Sequence, residues 1–231
     1  LIDRPDHRRI VGDIYLGRVE AVLPGIQAAF VDIGLEKSAF LHASDLLEPE
    51  EDEEPTGEEG DEAFEEAAES EGQDEGGRGK GRKGGEGNGQ SEPRQREVRS
   101  RRQLPDISEI LKKGQTLLVQ VTKEPISTKG CRVTAQISLP GRFLVYMPFA
   151  SKVGVSRKIE SKELRSKLRE MVATYLPKDA GGMIVRTVAE GVTEEHFQRE
   201  VEGLLNLWRK INRKKTFVRA PALVQRETSL T

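Results

Sequence analysis

Runs of Val, Ile, Ala and Phe broken by turn residues dominate the first fifty positions. They predict strands at Asp13–Val22, Ile26–Ile33 and Lys37–Leu41, with tight turns at Pro24-Gly25 and Gly34-Leu35-Glu36. Further on, Asp106–Lys113 reads as a short helix ended by Gly114, and Thr116–Glu124 and Cys131–Ser138 as two more strands. Five short strands with a helix before the fourth fit a small Greek-key barrel of the OB type. From Arg142 the pattern changes. Arg142–Met147 reads as a strand. Leu164, Leu168, Met171, Val172 and Tyr175 recur at the helical period within Ser161–Tyr175, which Pro177 ends. Gly182–Thr187 reads as a strand. Thr193 is placed to cap a long helix with Glu194 and Glu195 at its positive end, and Phe197, Val201, Leu204, Leu205, Trp208 and Ile211 as its apolar stripe. Phe217–Val224 reads as the opening of another strand. Strand–helix–strand–helix alternation argues for a small α/β unit over 139–231, after a barrel over 1–138.

Between the third and fourth strands the pattern vanishes. Residues 48–102 hold 19 acidic and 9 basic residues, 11 of the 23 glycines and five hydrophobic residues. Such a segment cannot bury enough apolar surface to offset its ordering entropy, so it is expected to be a disordered insert. It is either a solvated loop excursion or a switchable arm, whose Arg/Gly part touches RNA or whose Glu run competes for a basic surface. The whole chain carries −2, yet the residues outside the insert hold 28 basic and 20 acidic residues. The folded part is therefore basic, which favours a polyanionic partner.

The side chains exclude several chemistries. Cys131 is alone, so there is no internal disulfide framework and no cysteine-based zinc site. His7, His42 and His196 are far apart and sit in no ligand-spaced motif. No apolar run approaches the ~18–20 residues of a membrane-crossing helix. The opening Leu-Ile-Asp-Arg-Pro-Asp is not a signal peptide. A cytoplasmic protein is the expectation.

Alternation along the second and third strands places Ala29, Val31 and Ile33 on one face, with Ala28, Phe30 and Asp32 on the other. Ala39 and Leu41 likewise oppose Ser38, Phe40 and His42. Phe30 and Phe40 then form either a stacking platform for nucleic-acid bases or, if a bulge breaks the alternation, part of the core. Lys129-Gly130 offers a phosphate contact beside a close backbone approach. Arg186-Thr187, at a strand end, offers a planar fork and a hydroxyl to a phosphate; the alternative is a surface arginine paired with a glutamate. Leu139-Pro140-Gly141 reads as a turn and Val145 as a buried strand residue.

Taken together, several stretches resemble the ribonuclease E/G family. They are Gly-Asp-Ile-Tyr-Leu-Gly-Arg-Val (12–19), Ala-Ala-Phe-Val-Asp-Ile-Gly (28–34), Ala-Phe-Leu (39–41) and Lys-Gly (129–130). Ile-Ser-Leu-Pro-Gly-Arg-Phe-Leu-Val-Tyr-Met-Pro (137–148), Gly-Val-Ser-Arg-Lys-Ile (154–159) and Met-Ile-Val-Arg-Thr (183–187) complete them. The resemblance implies a magnesium-dependent endoribonuclease for single-stranded RNA, acting in ribosomal and transfer RNA maturation and messenger decay. It implies an OB-type barrel set in a ribonuclease H-like subdomain, followed by a deoxyribonuclease I-like subdomain that carries the metal-binding aspartates. It assigns RNA binding to Phe30, Phe40 and Lys129, and 5′-monophosphate binding to Gly141, Val145, Arg186 and Thr187. It also implies a homo-oligomer in the full-length protein. Asp3, Asp6, Asp13, Asp32, Asp45, Asp106 and Asp179 are scattered, so no catalytic or metal residue is expected within this chain. The chain alone is expected to bind RNA without cleaving it. The competing class is a non-enzymatic OB-fold RNA-binding module.

Overall fold

The computed structural model describes residues 9–46, 105–126 and 129–227; the insert expected at 48–102 lies outside them. Strands β1 (Ile14–Leu23), β2 (Ala28–Asp32) and β3 (Ala39–His42) come first. A single helical turn, α1 (Ile107–Ile110), then precedes β4 (Thr116–Lys123) and β5 (Arg132–Thr134). The pairing order is β1-β2-β3-β5-β4, and β4 returns to β1, so the five strands close into a ring. All contacts are antiparallel except β3–β5, where Phe40 pairs with Arg132. This is the OB-type barrel. Its interior holds Tyr15, Val19, Ala29, Val31, Leu41 and Val133, among others.

The second unit begins with β6 (Leu139–Pro140), β7 (Leu144–Met147) and β8 (Val153–Val155). Helix α2 (Lys162–Tyr175), β9 (Gly182–Val185), helix α3 (Glu194–Phe217) and β10 (Ala222–Gln225) follow. The order β6-β7-β9-β8 makes a four-stranded sheet, with β8 parallel to β9. Leu168 and Val172 of α2, and Phe197, Val201 and Ile211 of α3, bury their apolar stripes in one core with Leu144, Tyr146 and Val185 of this sheet. Ser161 caps α2 by accepting the Leu164 N–H at 3.1 Å. Thr193 is the N-cap of α3, but its hydroxyl pairs with the His196 ring at 2.6 Å rather than with the backbone.

The two units share packing. Ile14, Leu16 and Leu118 of the barrel lie in the same core as the α/β unit. Tyr15, Val19, Val119 and Val121 face the barrel interior instead. Strands β1 and β4 are thus covered on both faces, which explains the unbroken apolar start of β1. Strand β10 pairs antiparallel with β1, and Arg18 Nη2 donates to the Ala220 carbonyl at 2.7 Å.

Several expectations are corrected, the helix expected to reach Lys113 among them, since it ends at Ile110. The strand expected to reach Ser138 ends at Thr134. Beyond it, the Gln120 side chain takes over the pairing, accepting from Ser138 N at 2.8 Å and donating to Ser138 O at 2.9 Å. The turn expected at 139–141 is in part a strand, because Leu139 and Pro140 pair with Tyr146 and Val145. Val153–Val155 forms a strand that periodicity missed; its parallel pairing with β9 is a tertiary contact. The strand expected from Phe217 begins at Ala222, because α3 runs on through Arg-Lys-Lys-Thr to Phe217 and is capped at Val218.

Candidate functional site

Strands β2 and β3 pair without a register shift, so the alternation along both is intact. Phe30 sits opposite Phe40, with ring centroids 6.3 Å apart and planes 68° apart. With Ile26 and Ala28 the two rings form a small cluster separate from the barrel interior. They therefore do not fill the core from within. The rings are not equivalent: Phe40 is 2% exposed, whereas Phe30 is half-buried. Phe30 presents the accessible surface and Phe40 lies behind it, the two rings in an edge-to-face arrangement.

Barrel closure brings Lys129 to the same neighbourhood. Phe40 N donates to the Cys131 carbonyl at 2.8 Å, across the parallel β3–β5 contact. Gly130, one residue earlier, lies so close to β3 that a Cβ there would stand 1.9 Å from the Ser38 carbonyl oxygen. The chain can pass only because residue 130 has no side chain. Lys129 precedes it in a turn where Lys129 N donates to Ile126 O at 2.9 Å. Lys37, whose stem adjoins Gly130, is a second cation here that strand patterning did not single out. Behind the strand end, the buried Arg132 pairs with Asp45, with Nη2 to Oδ2 at 3.0 Å. Burial pushes the Cys131 thiol up to about 11.

The second constellation lies at one end of the four-stranded sheet. The turn Gly141–Leu144 closes on itself through Gly141 N to Leu144 O at 2.7 Å. Arg186, which follows β9, is tied to this turn twice. Its backbone N–H donates to Phe143 O at 2.9 Å, and its Nη1 donates to Gly141 O at 2.8 Å. Arg186 as a residue is nonetheless exposed. Thr187 starts a short 3-10 turn immediately after it. Val145 is half-buried rather than buried, because it sits beside Ile184 on the sheet face turned away from the buried Leu144 and Tyr146. The structure thus brings Gly141, Val145, Arg186 and Thr187 to one place. Parallel pairing of Val155 with Val185 sets Ser156 and Arg157 at that same sheet end, an adjacency that the sequence separation hides. The carboxylate of Glu200, on α3, also reaches the turn: both its oxygens lie 3.1 Å from the Phe143 N–H.

Among the described residues no group of three or more His, Cys, Asp or Glu side chains is placed to hold a metal ion. Among them, too, no helix is long and apolar enough to cross a membrane.

The sequence model of the Ribonuclease E/G family matches residues 138–231. Ribonuclease G of Salmonella typhimurium is 44% identical over 214 residues, covering 93% of this chain and 35% of that protein. Ribonuclease G of Haemophilus influenzae is 41% identical over 215 residues, again covering 93% of this chain and 35% of the relative. Ribonuclease E of a Nostoc species is 37% identical over 219 residues, covering 94% of this chain and 24% of the relative. The chain thus spans about a third, or less, of the length of these relatives.

Proposed function

We propose that this chain, which matches the ribonuclease E/G family model over residues 138–231 and is 37–44% identical to ribonucleases G and E, is the part of such an endoribonuclease that binds single-stranded RNA and senses a 5′-monophosphate. The observation that carries this reading is the double tie between Arg186 and the Gly141–Leu144 turn. A guanidinium fixed by Gly141 O at 2.8 Å, on a residue that is exposed overall, presents its remaining donors in a set direction. A terminal phosphate dianion matches that planar fork, and Thr187 adds a hydroxyl donor. Val145, beside Ile184, offers apolar surface to the first nucleotide. A 5′-hydroxyl end brings no dianion to this fork, and a 5′-triphosphate is bulkier than the site suits.

On the barrel, Phe30 stacks on a base with Phe40 behind it, at ~1–3 kcal/mol per base. Lys129 contacts the backbone, a sequence-independent interaction that weakens as salt rises. Cleavage, with the magnesium dependence that the family brings, is assigned to the rest of the full-length enzyme and to no residue of this chain, which covers 35% of a related ribonuclease G. The processing roles in ribosomal, transfer and messenger RNA come with that assignment. The test is cleavage by the full-length protein in magnesium of one single-stranded RNA bearing either a 5′-monophosphate or a 5′-hydroxyl. Faster cleavage of the monophosphorylated RNA supports the reading; equal rates, or no cleavage of either, contradict it.

A further inference from the structure

We infer that Glu200 is a positioning residue for the phosphate site, acting through the turn that holds Arg186. The inference rests on the reading of Arg186 as the phosphate ligand. The Phe143 peptide unit is gripped from both sides. Its N–H donates to Glu200, with Oε1 and Oε2 each at 3.1 Å, while its carbonyl accepts from Arg186 N at 2.9 Å. Two residues earlier, Gly141 O accepts from Arg186 Nη1 at 2.8 Å. A Cβ on Gly141 would stand 2.3 Å from Glu200 Oε1 and 2.9 Å from Leu144 O. Residue 141 must therefore lack a side chain if the carboxylate is to lie over the turn.

A carboxylate beside a phosphate site is electrostatically adverse, so its presence needs a compensating role. The geometry supplies one. Glu200 is anchored on a helix whose neighbouring residues Phe197, Val201 and Leu204 are buried in the core. The Phe143 ring lies against the Phe197 and His196 rings, at centroid distances of 6.4 Å each. Helix α3 thus holds the turn by its ring and by its backbone together. Without the carboxylate, the Phe143 N–H turns to water, the Gly141 carbonyl gains freedom, and the guanidinium loses its fixed heading.

Positioning and simple repulsion predict opposite signs. If Glu200 only repels phosphate, then both Glu200→Ala and Glu200→Gln tighten binding of monophosphorylated RNA. If it positions the turn, Glu200→Ala loses the preference for a 5′-monophosphate over a 5′-hydroxyl. Glu200→Gln, whose amide oxygen still accepts from Phe143 N–H, keeps it.

The experiment measures both affinities on the full chain by anisotropy, with a 3′-fluorescein single-stranded RNA in EDTA at fixed salt. The expected result is a preference that falls about tenfold in Glu200→Ala, the loss of one charge-assisted hydrogen bond. Binding of the 5′-hydroxyl RNA should be unchanged, and Glu200→Gln should stay within about twofold of the wild type, less than one ordinary hydrogen bond. If Glu200→Ala also loses 5′-hydroxyl binding and so fails as a folded variant, Glu200→Met replaces it. Met keeps the stem and the helix propensity without an acceptor, and the same loss is expected. A wild-type preference that survives in Glu200→Ala or Glu200→Met overturns the role of Glu200 alone. Tighter binding in both the Ala and the Gln variants overturns it in favour of repulsion. No wild-type preference at all overturns the phosphate site and the Glu200 role with it.

Discussion

Gly130→Ala perturbs the point where barrel closure and the Lys129 turn meet. An added Cβ would stand 1.9 Å from Ser38 O and 3.0 Å from Ser38 C, where ordinary contact begins near 3.4 Å. The atoms in the way are backbone atoms of the residue leading into β3, so no side chain can swing aside. Either β3 or the 129–131 turn must retreat, and the Phe40 N to Cys131 O hydrogen bond, 2.8 Å long, lies between them. Overpacking of this kind costs ~1–3 kcal/mol, and loss of the hydrogen bond adds ~0.5–1.5 kcal/mol. The expected destabilisation is therefore about 2–4 kcal/mol, or a midpoint lower by roughly 5–12 °C for a chain of this size. Lys129 should move with the turn, lowering affinity for single-stranded RNA and reducing the salt slope by about one phosphate contact. Gly25→Ala is the internal control, because a Cβ there meets nothing within 4 Å. It should leave stability unchanged to within ~0.5 kcal/mol, or raise it slightly. Urea unfolding and RNA titration of both variants decide the matter. A Gly130→Ala protein as stable as Gly25→Ala, with an unchanged salt slope, would refute the account of how closure seats Lys129.

Two further predictions follow from burial. Phe30→Ala should weaken binding of single-stranded RNA by ~1–3 kcal/mol with little loss of stability, whereas Phe40→Ala should lose both, because Phe40 is 2% exposed; equal stability losses in the two variants would contradict the division between presented and backing ring. The Cys131 thiol, raised by burial from 9.0 to about 11, keeps its proton in the folded chain after the unfolded chain has lost it. Stability from this group is therefore complete below pH 9 and declines as pH rises towards 11, and Cys131→Ala should show a shallower alkaline decline in urea midpoints. Matching slopes in the two proteins would show that the thiol is not the group responsible.

The barrel was legible because its strands are short, alternate cleanly and are separated by turn residues. Val31 and Leu41 point inwards while Phe30 and Phe40 do not, as period two requires. What the pattern could not show depends on tertiary contact. The Gln120 side chain that replaces strand pairing at Ser138 sits in an ordinary-looking strand position. The join of β10 to β1 links residues about two hundred positions apart. The unequal burial of Phe30 and Phe40 is likewise invisible to alternation, which gives the face but not what lies over it. Within the proposed phosphate site, Arg186 stood out by its place at a strand end and Gly141 only through the resemblance, and the structure shows the hydrogen bond that joins them. Glu200 left no signal, since an acid between the buried Phe197 and Val201 on an amphipathic helix reads as part of the solvated face.

The central claim is that this chain recognises the phosphorylated 5′ end of single-stranded RNA through Arg186. The most direct measurement compares the wild-type chain and Arg186→Ala for binding the same short RNA with a 5′-monophosphate and with a 5′-hydroxyl, in EDTA at one salt concentration. The account predicts that the wild type prefers the monophosphate by about tenfold or more, as a charge-assisted Arg–phosphate contact allows, and that Arg186→Ala binds both ends equally. Equal binding of the two ends by the wild type, or a preference that survives in Arg186→Ala, would contradict it.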